Sequence, residues 1–207
     1  MKLDYIKPDE IEKRSMEIIS SEMPHDVPDE LADTIKRVVH TTADFDYVDN
    51  LCFSENVIEL ALKAIRNGAT IVTDTNMARA GINKAAIEKC GCKAVCYMAD
   101  TDVAEASLKR GVTRAVISME KASQLDGNVI FAIGNAPTAL IELNRLIKHG
   151  KISPALIIGV PVGFVNVVEA KELIMESNCP YIVARGRKGG SNVAAAIVNS
   201  LLYKISR

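Results

Sequence analysis

His40 stands three residues after Arg37 and one before Thr41, near the end of a helix expected to open at Pro28 with Asp29 and Glu30 in its first turn. Leu31, Ile35, Val38 and Val39 fall within about one third of the wheel at ~100° per residue, and His40 lies opposite their mean direction. An imidazole so placed is not a core group and is free for acid or base chemistry. Arg37, one turn earlier, shares the neighbouring surface. The ordinary alternative is a solvated helix end, where cationic side chains favour the C-terminal dipole. Ser15 presents the reverse case, because Ile11, Ile18 and Ile19 define an apolar stripe and the hydroxyl falls inside it. Its partner is either the carbonyl four residues back or a ligand.

Three glycine-containing runs carry a second kind of chemistry: Ile133-Gly-Asn-Ala-Pro-Thr-Ala-Leu140, Gly159-Val-Pro-Val-Gly-Phe-Val165 and Arg185-Gly-Arg-Lys-Gly-Gly-Ser191. Each follows an apolar, strand-like segment and opens an expected helix. In an open parallel sheet such turns form one rim beyond the carboxyl ends of the strands, where amides and helix N-termini meet anions. Arg185, Arg187 and Lys188, ahead of Gly189, Gly190 and Ser191, are suited to a carboxylate or phosphate; a basic, flexible turn is the plain alternative. Asn135 and Thr138 either cap the next helix, the default, or donate to a ligand. Phe164 supplies an apolar face beside the Gly159–Gly163 turn, and a broad flat ligand would use both. None of the runs is Gly-x4-Gly-Lys-Ser/Thr or Gly-x-Gly-x2-Gly, and the basic one closes the last β-to-helix turn instead of the first. A nucleotide hydrolase or dinucleotide enzyme is therefore not expected.

The elements that must position these residues read as an alternation of short β-branched runs with longer helices. Candidate strands are 69–74, 93–97, 128–133, 155–158 and 181–184. Their continuous apolar character suits strands covered on both faces, hence a three-layer α/β/α sheet, mostly parallel. Ser54 and Gly68 bracket one helix, and Pro137 suits the first turn of another, which runs to His149-Gly150. Small residues after Ser191 allow the last helix to pack closely on the sheet. Two extra helices, opening near Pro8 and Pro28, precede the first strand. Residues 113–122 fit strand or helix, and helix is preferred. With no repeat or low-complexity linker, residues 1–207 are expected to form a single domain.

The 207 residues are 48% hydrophobic, enough for a sizeable core, and 25 Lys and Arg balance 26 Asp and Glu. A net charge of -1 gives no global field for nucleic acid or an anionic membrane, so anion binding must be local. The charged opening Met1-Lys-Leu-Asp-Tyr-Ile-Lys-Pro-Asp-Glu10 has no apolar h-region, and no apolar run approaches a membrane span. A cytoplasmic protein with reduced thiols is expected. Cys90, Cys92 and Cys96 invite a metal reading, but no second ligand cluster completes a four-ligand site, and packing explains them better.

Taken together, Arg14-Ser15, Arg37-Val-Val-His-Thr-Thr42, Asp74-Thr-Asn-Met77 and the three glycine-containing runs resemble the precorrin-8 methylmutases of cobalamin biosynthesis, including the cobalt-precorrin-8 enzymes. The resemblance covers essentially the full length. It implies a flavodoxin-like α/β/α fold and an isomerase that moves a methyl group from C-11 to C-12 of a precorrin macrocycle, a 1,5-sigmatropic shift giving a corrin such as cobyrinic acid or hydrogenobyrinic acid. No cofactor and no resident metal are implied. A histidine at the position of His40 acts in the family as proton donor or acceptor, and protonating a conjugated macrocycle lowers the barrier to migration. Ser15 and Arg37 match substrate-binding positions, and Arg114 is a weaker transfer. The substrate bears acidic side chains around a large apolar ring, so contact is extended to Asn135, Thr138, Gly190 and Ser191. Family members act as homodimers with the site near the subunit interface. Thr42-Ala-Asp-Phe45 looks more like the anaerobic, cobalt-using branch. Two rival functions use the same fold: a non-catalytic tetrapyrrole carrier, and a flavin- or nucleotide-binding signalling domain. The absence of Trp and of a first-turn phosphate fingerprint counts against the second.

Overall fold

A parallel strand with apolar side chains on both faces is stable only when helices cover both, and the expected runs are arranged in that way. The computed structural model describes residues 5–207; Met1 to Asp4 of the charged opening lie outside them. Among the described residues, six strands form one sheet: β1 (Leu51–Phe53), β2 (Thr70–Thr73), β3 (Lys93–Val95), β4 (Val129–Ile133), β5 (Leu156–Gly159) and β6 (Tyr181–Ala184). Their spatial order is β3-β2-β4-β5-β6-β1. The β2–β3, β2–β4, β4–β5 and β5–β6 pairs are parallel. Counted among the parallel strands alone this is the flavodoxin-like order, whose switch point lies between β2 and β4.

β1 is absent from the sequence expectation. It runs antiparallel beside β6 in the register Leu51 to Ala184 and Phe53 to Ile182. Three residues after a single helical turn give no periodicity to read. The same pairing corrects the reading of Ser54, which does not cap the next helix. Its hydroxyl accepts the Tyr181 N–H at 3.0 Å, and its own N–H donates to the Tyr181 carbonyl. That helix starts instead after Asn56, which takes a left-handed φ of 54°.

The helices are α1 (Ile11–Glu22), α2 (Asp29–Thr42), α3 (Tyr47–Asn50), α4 (Val57–Arg66), α5 (Asn76–Gly81), α6 (Lys84–Lys89), α7 (Thr101–Arg110), α8 (Arg114–Ala122), α9 (Pro137–Lys148), α10 (Val167–Met175) and α11 (Ser191–Ser206). Successive residues of each central strand serve opposite layers. Ile130 and Ala132 of β4 pack with α2, α4 and α11, whereas Val129, Phe131 and Ile133 pack with α8, α9 and α10. Residues 113–122 are helical, with Thr113 as cap: its hydroxyl accepts the Val116 N–H. α11 sits close to its neighbours because Ala194, Ala195 and Ala196 are small; a Cβ on Gly81 would meet that of Ala195 at 2.9 Å.

Candidate active site

α2 is seated by Ile35, Val38 and Val39, all buried, and by a 3.0 Å hydrogen bond between the buried hydroxyls of Thr34 and Ser200 on α11. This seating leaves His40 exposed in the last turn. Among the described residues its ring makes no hydrogen bond or ion pair. The helix stops at Ala43, left-handed at φ 52°, whose N–H donates to the Val39 carbonyl at 2.7 Å. α1 lies across α2, and between them is an open cavity of about 340 Å³. Ser15, Ile18 and Ile19 line one side, Val39, His40 and Phe45 the other. Ser15 Oγ donates to the Ile11 carbonyl at 2.9 Å, which leaves its oxygen able to accept. The apolar stripe around it is only partly covered: Ile19 is buried, while Ile11 and Ile18 are 51% and 41% exposed.

Arg37 does not share this cavity. Its guanidinium pairs with Glu12 Oε1 at 2.7 Å and lies 5.3 Å from the centre of the Tyr203 ring. Arg207 approaches the same ring and the same carboxylate, and the hydrogen bonds from Arg207 and Arg37 hold Glu12 below the usual carboxylate range.

The rim is more closed than its sequence suggests. Asp74, fully buried at the end of β2, accepts the N–H groups of Gly134, Asn135 and Ala136 at 2.9, 2.8 and 2.6 Å. Burial pushes its carboxyl up in pKa, and the three donors work against that shift. The amides expected to greet an anion are thus occupied by an internal carboxylate. Nor do Asn135 and Thr138 cap α9. Pro137 fills its first position, and Thr138 Oγ1 is hydrogen-bonded to Thr113 Oγ1 at 2.9 Å, beside Arg114. Gly134 also allows a close crossing, since a Cβ there would lie 2.7 Å from the Gly190 carbonyl oxygen. Ser191 Oγ pairs with Thr75 Oγ1 at 2.8 Å. Asn135, Thr138 and Arg114 therefore cluster on one stretch of rim, and Gly190 and Ser191 on the next.

Sequence reasoning missed Asp74 and Lys171. The latter is fully buried on α10, and its ammonium donates to the carbonyls of Gly186 and Lys188 at 2.7 and 2.8 Å. Burial pulls its pKa down to about 8. Its signal was legible: with Val167, Ala170 and Ile174 it falls on one apolar stripe. Lys188 in turn reaches Asp44 and Asp46, both at 2.6 Å, in the turn that follows His40. These ion pairs couple the β6–α11 loop to the mouth of α2, and they raise the pKa of Lys188. All five cysteines are free, and among the described residues no three His, Cys, Asp or Glu side chains group as metal ligands.

Comparison with known proteins gives this arrangement a context. The precorrin-8X methylmutase family profile matches residues 10–204. The cobalt-precorrin-8 methylmutase of Priestia megaterium is 45% identical over 95% of this chain and 88% of its own, and that of Salmonella typhimurium 43% over 98% and 99%. A crystal structure of the Thermus thermophilus precorrin-8x methyl mutase superimposes with a TM-score of 0.85 at 37% identity, covering 94% of this chain and 96% of that one. The flavodoxin-like strand order and the near full-length matches agree: this chain belongs to the precorrin-8X methylmutase family of methyl-migrating isomerases.

Proposed function

We propose that the chain converts cobalt-precorrin-8 to its corrin isomer, with His40 as the group that gives and takes the proton. The observation that carries this reading is the shared cavity of His40 and Ser15. There an imidazole without a partner among the described residues and a hydroxyl with acceptor capacity face one apolar wall. A flat conjugated macrocycle is stabilised against Ile18, Ile19, Val39 and Phe45 by exclusion of water. His40 donates a proton to the ring system, the methyl group migrates with its bonding pair, and the proton returns, so that mass is conserved. Ser15 orients the ring by a hydrogen bond. Arg37 exchanges Glu12 for a peripheral carboxylate, a trade of one charged hydrogen bond for another. Arg114, Asn135, Thr138, Gly190 and Ser191 contact the remaining periphery.

The active form is a homodimer acting in the cytoplasm. Exposed Ile11 and Ile18 beside a cavity open on one side support assembly. Among the described residues no helix is long and apolar enough to cross a membrane. The names of the relatives favour the cobalt-bearing substrate. Incubating the purified chain with precorrin-8, with and without cobalt, tests the reading by visible spectrum and product mass. A spectral change at constant mass, faster with cobalt, is expected; binding without conversion of either form would leave a carrier.

A further inference from the structure

Four cations serve the loop between β6 and α11, and three are engaged within the chain. Arg185 pairs with Glu172 at 3.2 Å, Lys188 with Asp44 and Asp46, and Lys171 with two carbonyls beneath the loop. Arg187 alone of the four has no side-chain hydrogen bond or ion pair among the described residues, although the backbone around it is held. Its carbonyl accepts the Gly163 N–H at 3.2 Å, and the carbonyls on either side of it both go to Lys171. Its guanidinium lies 5.5 Å from the centre of the Phe164 ring, and that ring is itself 83% exposed.

We infer that Arg187, backed by Phe164, is a specificity-determining residue that receives a side-chain carboxylate of the macrocycle while the phenyl ring meets its apolar periphery. The inference rests on the reading that the substrate is an acidic tetrapyrrole. A guanidinium over a phenyl face keeps its planar set of donors and is weakly hydrated, so a carboxylate can be taken by two parallel hydrogen bonds. Because the backbone around residue 187 is already fixed, little ordering entropy opposes that contact. Lys188, the next residue, is bonded to the turn four and six residues beyond His40, so the arm and the imidazole belong to one connected surface. A merely solvated arginine would need neither the buried lysine under its loop nor an exposed phenyl partner.

The test is equilibrium binding of cobyrinic acid, and of an analogue whose side chains are amides, to the full chain and to Arg187→Gln, Arg187→Lys and Phe164→Ala, with turnover and sedimentation measured in parallel. Arg187→Gln is expected to weaken binding of the acid about tenfold and raise KM with kcat nearly unchanged, as for a charged hydrogen bond common to ground and transition states. Its affinity for the amide stays at the wild-type value, and Arg187→Lys recovers part of the loss. Unchanged affinity for the acid, an equal loss on both ligands, or a change in sedimentation alone overturns the assignment; the last would make the pair an assembly contact. Failure of the wild-type chain to bind either corrin overturns the substrate reading itself, and the assignment with it.

Discussion

At the rim, the N–H groups of Gly134, Asn135 and Ala136 go to Asp74, Ser191 goes to Thr75, and Lys188 goes to Asp44 and Asp46. In the cavity between α1 and α2, His40 has no partner among the described residues, and Ser15 satisfies only its donor. The region whose composition advertises ligand binding is largely occupied in holding itself. The region that reads as an ordinary helix end is the one left open. Glycine-rich turns at a switch point are thus a way to bring four loops together as much as a way to cradle an anion. A reactive group is better recognised by the partners it lacks.

Breaking the rim should cost stability first. Asp74→Ala leaves one buried and two partly buried amide contacts without an acceptor, the buried one costing about 1–3 kcal/mol, and is expected to destabilise by roughly 3 kcal/mol in urea titrations. A loss below about 1 kcal/mol would mean that water replaces the carboxylate.

Lys171 gives a pH-dependent version of the same test. The unfolded chain holds this proton to about 10.5, whereas burial releases it near 8 in the folded one, so the unfolded state binds more protons between those values and stability rises with pH. From pH 7 to 8.5 the wild type should gain about 1 kcal/mol more than Lys171→Met. Cys179, its thiol pushed up to about 12, opposes the trend as pH passes 9 in both proteins and cancels in the comparison. Equal slopes would show that Lys171 does not titrate in this range.

The smallest effect on stability sharpens the contrast. Lys188→Ala removes exposed ion pairs, which solvent screens, and should leave the urea midpoint nearly unchanged. It should nevertheless lower kcat/KM about tenfold, because it frees the turn after His40. Unchanged kinetics would uncouple the rim from the cavity.

Much of the fold was legible because the runs before Gly134, Gly159 and Arg185 are apolar without interruption, as doubly covered parallel strands require, and the run before Asp74 is broken only by Thr70 and Thr73. β1 was not, since its three residues are strand only by virtue of Tyr181–Ala184, more than a hundred residues away. The exposure of His40 followed from the helical wheel. Arg37's engagement did not, because Glu12 and Tyr203 lie on elements that only the tertiary fold brings to it. Asp74 was quoted as part of a motif without a role, its three partners being sixty residues on. Local pattern names a residue's face; it does not name what waits there.

The central claim is that chemistry belongs to the cavity and holding to the rim. Single-turnover absorbance of His40→Ala at saturating cobalt-precorrin-8, alongside its substrate Kd and its urea midpoint, tests it most directly. The prediction is a wild-type urea midpoint, a Kd within a few-fold of wild type, and turnover reduced by about 10²–10⁴, the usual weight of a general acid–base. Wild-type turnover by His40→Ala, or a loss explained wholly by weaker binding, would contradict it.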